Sequence, residues 1–195
     1  MQPVRIGLIL GIAAAIAACS GQKGNEAGTN AAAPATKGDA QRRTIGDALA
    51  ATGDHSELVA ALNAAGLAET LRGAGPYTLF APTNAAFAAV PEDARGELMQ
   101  PANRERLVRL LRLHIVPGTV TVQDMRAAID RGEGGRAELA TLSDETLTLA
   151  RDGDAILIGD GAGGRARISG SEGVRANGVV HGVDAVLMPA ASDAG

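Results

Sequence analysis

Apolar positions change their spacing twice along the chain. From Ile6 to Ile16 they run almost without interruption, and from residue 44 to about residue 131 they recur at helical intervals. Beyond Gly132 they fall in short runs separated by Gly, Asp and Ser. In the middle region Thr44 and Asp47 have capping-box spacing, which predicts a short helix through Ala51. Leu58, Val59, Leu62 and Ala65 share one face of a second helix, capped by Ser56 and stopped by Gly66. Residues 67–71 predict one further turn before Gly73-Ala74-Gly75-Pro76, and residues 92–99 a weak helix ended by Pro101. The clearest helical period lies over 103–114. There Leu107, Leu110, Leu111 and His114 recur at i, i+3, i+4 and i+7, with Arg106, Arg109 and Arg112 along another side. Thr121 caps a helix over 122–131 that packs through Val122, Met125 and Ile129. After Gly132 the runs around Leu139, Leu147, Ile156, Ile168 and Val179 read as strands in hairpins, with a tight turn at Asp152-Gly153. Helices first and strands second predict an α+β domain.

One stretch gathers the chemistry of the core. Tyr77-Thr78-Leu79-Phe80-Ala81-Pro82-Thr83-Asn84-Ala85-Ala86-Phe87 holds every aromatic ring in the chain, one Tyr and two Phe. Aromatic side chains bury more area than any others, so the core is expected to form around these three. Residues 77–81 alternate as a strand, Pro82 withdraws a donor and stops the ladder, and Thr83 caps a helix through the amide of Ala85 or Ala86. Pro82 and Phe87 take the two positions of a hydrophobic staple.

This stretch resembles the first signature box of fasciclin-type domains. Leu110-Leu111-Arg112-Leu113-His114-Ile115-Val116-Pro117-Gly118 resembles their central segment, with Leu113 where a Tyr is frequent. Asn177-Gly178-Val179-Val180-His181-Gly182-Val183-Asp184 and the residues to Pro189 resemble their second box. The three follow in order across residues 44–190. The resemblance implies a β-wedge with N-terminal and flanking helices, and a non-catalytic adhesion or binding role toward protein or glycan. It implies structural roles for His114 and His181, with imidazole-to-backbone bonds joining helix and sheet. An Asp-Ile pair near the second box is associated with receptor contact in some animal members. Here Asp184 is followed by Ala185, so Asp184 is a strand-end residue first and a contact residue second.

Residues 1–18 read as a signal segment: Arg5 supplies the positive start, and the apolar run is too short to span a bilayer. Ile16-Ala17-Ala18-Cys19 resembles a bacterial lipoprotein cleavage box. A cut after Ala17 also satisfies the small-residue rule, but Cys19 is the only Cys and has no disulfide partner. Lipidated at Cys19, the protein would be held on a membrane. Ser20 resembles outer-membrane sorting in diderm bacteria, so the expected location is the outer membrane, cell surface or periplasm. Residues 19–43 form a Gly-, Ala- and Asn-rich tether whose end-to-end distance is roughly 25–30 Å. Residues 191–195 read as a frayed tail.

Net charge is −4 and no basic block stands out, so nucleic acid is not an expected partner. Gly159-x-Gly161-x-x-Gly164 matches a dinucleotide fingerprint in letters, but a strand rather than a helix follows it. A glycine-rich hairpin loop is the reading that fits. Asp152, Asp154 and Asp160 lack the order and closing Glu of a calcium loop, and His55, His114 and His181 lack zinc-ligand spacing. There is no Gly-x-Ser-x-Gly elbow. Neither an enzyme, a metal nor a cofactor is expected. The Arg106/Arg109/Arg112 stripe is a solvated helix face supported by a Glu105–Arg109 pair, or a face for a protein, an acidic polysaccharide or phospholipid headgroups. Weak self-association is a further expectation. Two other functional readings remain: a periplasmic structural or signalling-accessory lipoprotein, and a small-molecule carrier, which needs an open apolar pocket.

The anchor is directly testable. Cys19→Ala is expected to move the protein from the membrane to the soluble fraction, measured by detergent phase partitioning. Unchanged partitioning excludes the lipid.

Overall fold

The computed structural model describes residues 41–190. The signal segment, Cys19, most of the expected tether and the tail 191–195 lie outside the described residues.

Local signals place most of the helices. Helix α1 spans Ile45–Ala51, and the Thr44 hydroxyl accepts the Asp47 N–H at 3.3 Å. Helix α2 spans Ser56–Ala65 and ends at Gly66, whose φ of 78° is open to glycine at no steric cost. Ser56 is not its cap, as the sequence suggests, but its first helical residue. The cap comes from elsewhere in the chain. Asn84 Oδ1 accepts from the Ser56 hydroxyl at 3.2 Å and from Glu57 N–H at 3.1 Å, while Asn84 Nδ2 donates to Gly53 O at 2.8 Å. Helix α3 spans Ala68–Arg72 and leads to strand β1, Tyr77–Pro82. Thr83 then caps helix α4, Asn84–Ala88, accepting from Ala86 N–H at 3.2 Å. Helices α5, Glu92–Leu98, and α6, Arg104–Leu113, precede the short strand β2, Ile115–Pro117. Helix α7, Val122–Arg131, carries a complete capping box between Thr121 and Asp124.

The second half supplies β3 (Arg136–Ala140), β4 (Thr146–Asp152), β5 (Ala155–Gly159), β6 (Arg165–Arg175) and β7 (Gly178–Val183). These five pair antiparallel in chain order. The two halves do not stay apart. Strand β1 lies parallel to β7, from Tyr77 opposite Gly178 to Pro82 opposite Val183, and β2 pairs antiparallel with β1. The sheet therefore has seven strands, in the order β2-β1-β7-β6-β5-β4-β3. Leu142 N–H, just past β3, donates to Ile115 O in β2 at 2.8 Å. That bond brings the two ends of the sheet together into a nearly closed wedge.

Strand β1 divides the core. Leu79 joins Ile45, Leu58, Leu71 and Leu111 on the helical side, while Phe80 joins Met125, Leu147, Leu149 and Ile158 beneath α7. Successive strand side chains point to opposite faces, so β1 is buried on both. The three aromatics consequently do not share one cluster, contrary to the sequence expectation. Phe80 is fully buried on one side, and Tyr77 and Phe87 are half-buried against the other.

Polar staples lock the start of the parallel pair. Asn177 Oδ1 accepts Ile45 N–H at 2.8 Å, and its Nδ2 donates to Leu71 O and Gly73 O, both at 2.8 Å. Its carbonyl accepts Tyr77 N–H at 3.0 Å. A side chain at Gly178 would overlap Tyr77 O, so only glycine fits there. Thr78, fully buried, donates to Gly118 O at 2.7 Å and accepts from Val120 N–H at 2.8 Å. Both of its hydroxyl functions are thereby satisfied.

Phe80→Ala is expected to cost about 3–5 kcal/mol, because the ring fills a closed site between sheet and α7. Denaturant unfolding of the two proteins measures this. A loss below about 1 kcal/mol places the core elsewhere.

Candidate interaction surface

Helix α6 is built of Arg, Glu and Leu, good helix formers, apart from Val108, with Glu105 in its first turn and Arg112 in its last, as the helix dipole favours. Leu107, Leu110, Leu111 and Leu113 are buried. Arg104 reaches back to cap α2, donating to Ala64 O at 3.4 Å and Ala65 O at 3.1 Å. Arg106, Arg109 and Arg112 remain on the exposed side.

Two grooves flank this side. The larger, of about 600 Å³, runs between α5, α6 and the segment after β7, with Leu98, Leu110 and Met188 in its floor and Glu97, Glu105, Arg106 and Arg109 at its rim. The other, of about 520 Å³, lies between α6 and the β3–β4 turn and is lined by Arg109, Arg112, Leu142 and Asp144. Arg109 stands between them. It pairs with Glu145 at 3.1 Å, not with Glu105 as the i,i+4 spacing suggests. The tertiary partner wins because Glu145 is itself held in place: its second oxygen accepts Ala190 N–H at 2.9 Å. Among the described residues, Arg106 and Arg112 make no ion pair.

Asp184 lines neither groove. Its carboxylate accepts Arg167 N–H at 2.6 Å and its own N–H returns to Arg167 O at 3.1 Å, closing the β6–β7 pairing. The glycine-rich loop is a hairpin connection between β5 and β6. Asp160 organises it, accepting from Ala162 N–H at 3.1 Å and Gly164 N–H at 2.6 Å. Asp152 pairs with Arg167, and no group of three His, Cys, Asp or Glu is arranged to hold a metal among the described residues. The apolar cavity near Phe87, Leu98 and Met188 measures about 20 Å³, too small for an organic ligand.

Each histidine is a staple. His55 Nδ1–H donates to Pro82 O at 3.0 Å. His181 Nε2–H donates to Val120 O at 2.8 Å, and its ring stacks on Phe80 with centroids 5.8 Å apart. His114 Nδ1–H donates to Leu110 O at 2.9 Å while its Nε2 accepts Leu187 N–H at 3.1 Å, which requires the neutral ring. Burial lowers the His181 pKa and takes that of His114 down to about 4.

The sequence singled out the three arginines but missed Glu145 and the groove wall at residues 188–190. Nothing local marks either, because both are defined by contacts with distant elements.

The wedge, its buried histidines bonded to backbone groups and its two surface grooves are the geometry against which the family can be read. The sequence model of the fasciclin domain matches residues 53–189. The chain belongs to the fasciclin domain family, a non-enzymatic, adhesion-type fold known from adhesion and extracellular proteins. Protein sll1483 of Synechocystis is 36% identical over 147 residues, covering 75% of this chain and 73% of that protein. Transforming growth factor-beta-induced protein ig-h3 of Sus scrofa is 31% identical over 149 residues. That match covers 76% of this chain and only 20% of the longer protein. A FAS1 domain pair from the insect cell adhesion molecule fasciclin I has the same fold. Its TM-score is 0.66 at 16% identity, over 77% of this chain and 52% of that one. No helix among the described residues is long and apolar enough to cross a membrane.

Stability should depend on pH through His114. Its folded-state pKa lies below its unfolded value of 6.5, so the unfolded chain binds the proton better. The contribution is complete above pH 6.5 and is lost as pH falls toward 4. It amounts to about 3 kcal/mol at most. Denaturant midpoints across this range should fall, and His114→Gln should flatten the slope. Equal slopes in both proteins exclude His114 as the cause.

Proposed function

We propose that this protein is a non-catalytic binding and adhesion module, held on the bacterial envelope by a lipid at Cys19, that contacts protein or glycan partners through the exposed face of α6. The observation that carries this reading is the pair of grooves flanking Arg106, Arg109 and Arg112. There the guanidinium groups of Arg106 and Arg112, which make no ion pair among the described residues, stand with the Glu145-paired Arg109 beside an apolar floor. Arginine on an apolar surface offers both directed hydrogen bonds and a weakly hydrated charge, a combination common where proteins meet partners. Family membership supports the same reading: the structural relative comes from an insect cell adhesion molecule. A tether over residues 19–43, as the sequence suggests, would hold the domain away from the lipid surface and leave such a face accessible.

The test uses the soluble Cys19→Ala protein on a sensor surface, exposed to envelope extract, secreted polysaccharide and the protein itself. Saturable binding is expected. Arg106→Glu with Arg112→Glu should weaken it tenfold or more, and raised salt should weaken it in the same direction. Binding indifferent to both charge reversals overturns the α6 assignment. No binding at all overturns adhesion and leaves the periplasmic accessory role.

A further inference from the structure

Beyond β7 the chain leaves the sheet and crosses the domain as an irregular strap, residues 184–190, forming one wall of the larger groove through Met188, Pro189 and Ala190. No strand ladder holds its far end. Leu187 N–H donates to His114 Nε2 at 3.1 Å, Met188 N–H to Asp160 Oδ2 at 2.8 Å, and Ala190 N–H to Glu145 Oε2 at 2.9 Å. Pro189 has no N–H to place. Every backbone donor from 187 to 190 is thus taken by a side chain. The three acceptors come from the end of α6, the β5–β6 loop and the β3–β4 turn.

These acceptors share one chemical property: each works in its deprotonated form. The ring proton of His114 sits on Nδ1, facing Leu110 O, so Nε2 offers a single lone pair. A proton there sets donor against donor. Asp160 is fully engaged, with Oδ1 accepting from Ala162 and Gly164 while Oδ2 holds Met188. Glu145 accepts from Arg109 through Oε1 and from Ala190 through Oε2. Protonating either carboxylate removes the charge that strengthens its bonds to N–H groups.

The charged surroundings are few. Asp160 acts on His114 and favours its protonation. Arg109 faces Glu145, its guanidinium 3.1 Å from the carboxylate. Glu97 on α5 and Glu105 and Arg106 on α6 line the groove beside the strap. Asp184, at the strap's start, is engaged with Arg167 N–H. The glycine loop fits the strap closely: a Cβ on Gly161 would stand 3.1 Å from Ala190 Cβ.

We infer that the strap is a proton-operated wall of the groove, latched near neutrality by His114, Asp160 and Glu145 and released by acid while the sheet stays folded. This regulation rests on reading the groove as the contact surface. Release uncovers Leu187, which is fully buried when the strap is closed, and widens the groove. A stretch whose amides from 187 to 190 are bonded only to side chains opens more readily than the β1–β7 ladder, so local release precedes global unfolding.

Amide hydrogen exchange on the full-length Cys19→Ala protein tests this, with protection factors corrected for intrinsic rates. Between pH of about 7 and about 4.5, protection at Leu187, Met188 and Ala190 should fall together by about tenfold or more, while Leu79 and Val180 keep theirs. Strap protection that persists in acid overturns the inference, as does parallel loss in strap and sheet. Asp160→Asn with Glu145→Gln should loosen the strap at neutral pH; unchanged protection there also overturns it. The readout needs no partner. Failure of envelope binding would defeat the contact-surface reading while leaving the strap result intact.

Discussion

The parallel pairing of β1 with β7 is the constraint on which the domain depends. Among the described residues it joins the first strand to the last, and everything between must close around it. Two features make the pairing fit at its start. Gly178 lets the backbone of β7 come up against Tyr77 O, and Asn177 ties α1, the end of α3 and β1 to the same point. The bond from Ile45 N–H to Asn177 spans 132 positions in sequence. Because β1 is buried on both faces, it separates the two halves of the core and fixes how far apart they lie.

The interior polar groups serve that closure. His55, His114, His181 and Thr78 each bind backbone groups of a distant segment, satisfying donors and acceptors that would otherwise be buried unpaired. The surface around α6 is different. Its guanidinium groups face solvent beside grooves, and one of the groove walls is a segment held only by side chains. A closed wedge with exposed cations beside its grooves suits the recognition role proposed for it.

Much of the helical half was legible in sequence because its signals are local. The caps at Thr44, Thr83 and Thr121, the stop at Gly66 and the leucine period of α6 act within one or two turns. The expected cap at Ser56 failed for the opposite reason: Asn84 supplies it across the fold. The Glu105–Arg109 pair failed likewise, since a preplaced Glu145 outcompetes a flexible helical neighbour. The arginine stripe could be read from helical spacing, but the grooves beside it could not, because their walls come from α5, the β3–β4 turn and the strap.

By itself, then, the sequence determined most of the element types, though not β2, many of their boundaries, many of the residues that would be buried and the family. These follow from hydrophobic period, capping chemistry and short motifs, all of which act within a few residues. The tertiary structure alone decided that β1 lies parallel to β7, that the aromatics divide between two cores, and that Glu145 and the strap complete the surface of α6. Those outcomes depend on which distant segments meet, and the meeting is set by closing one sheet around a single shared strand.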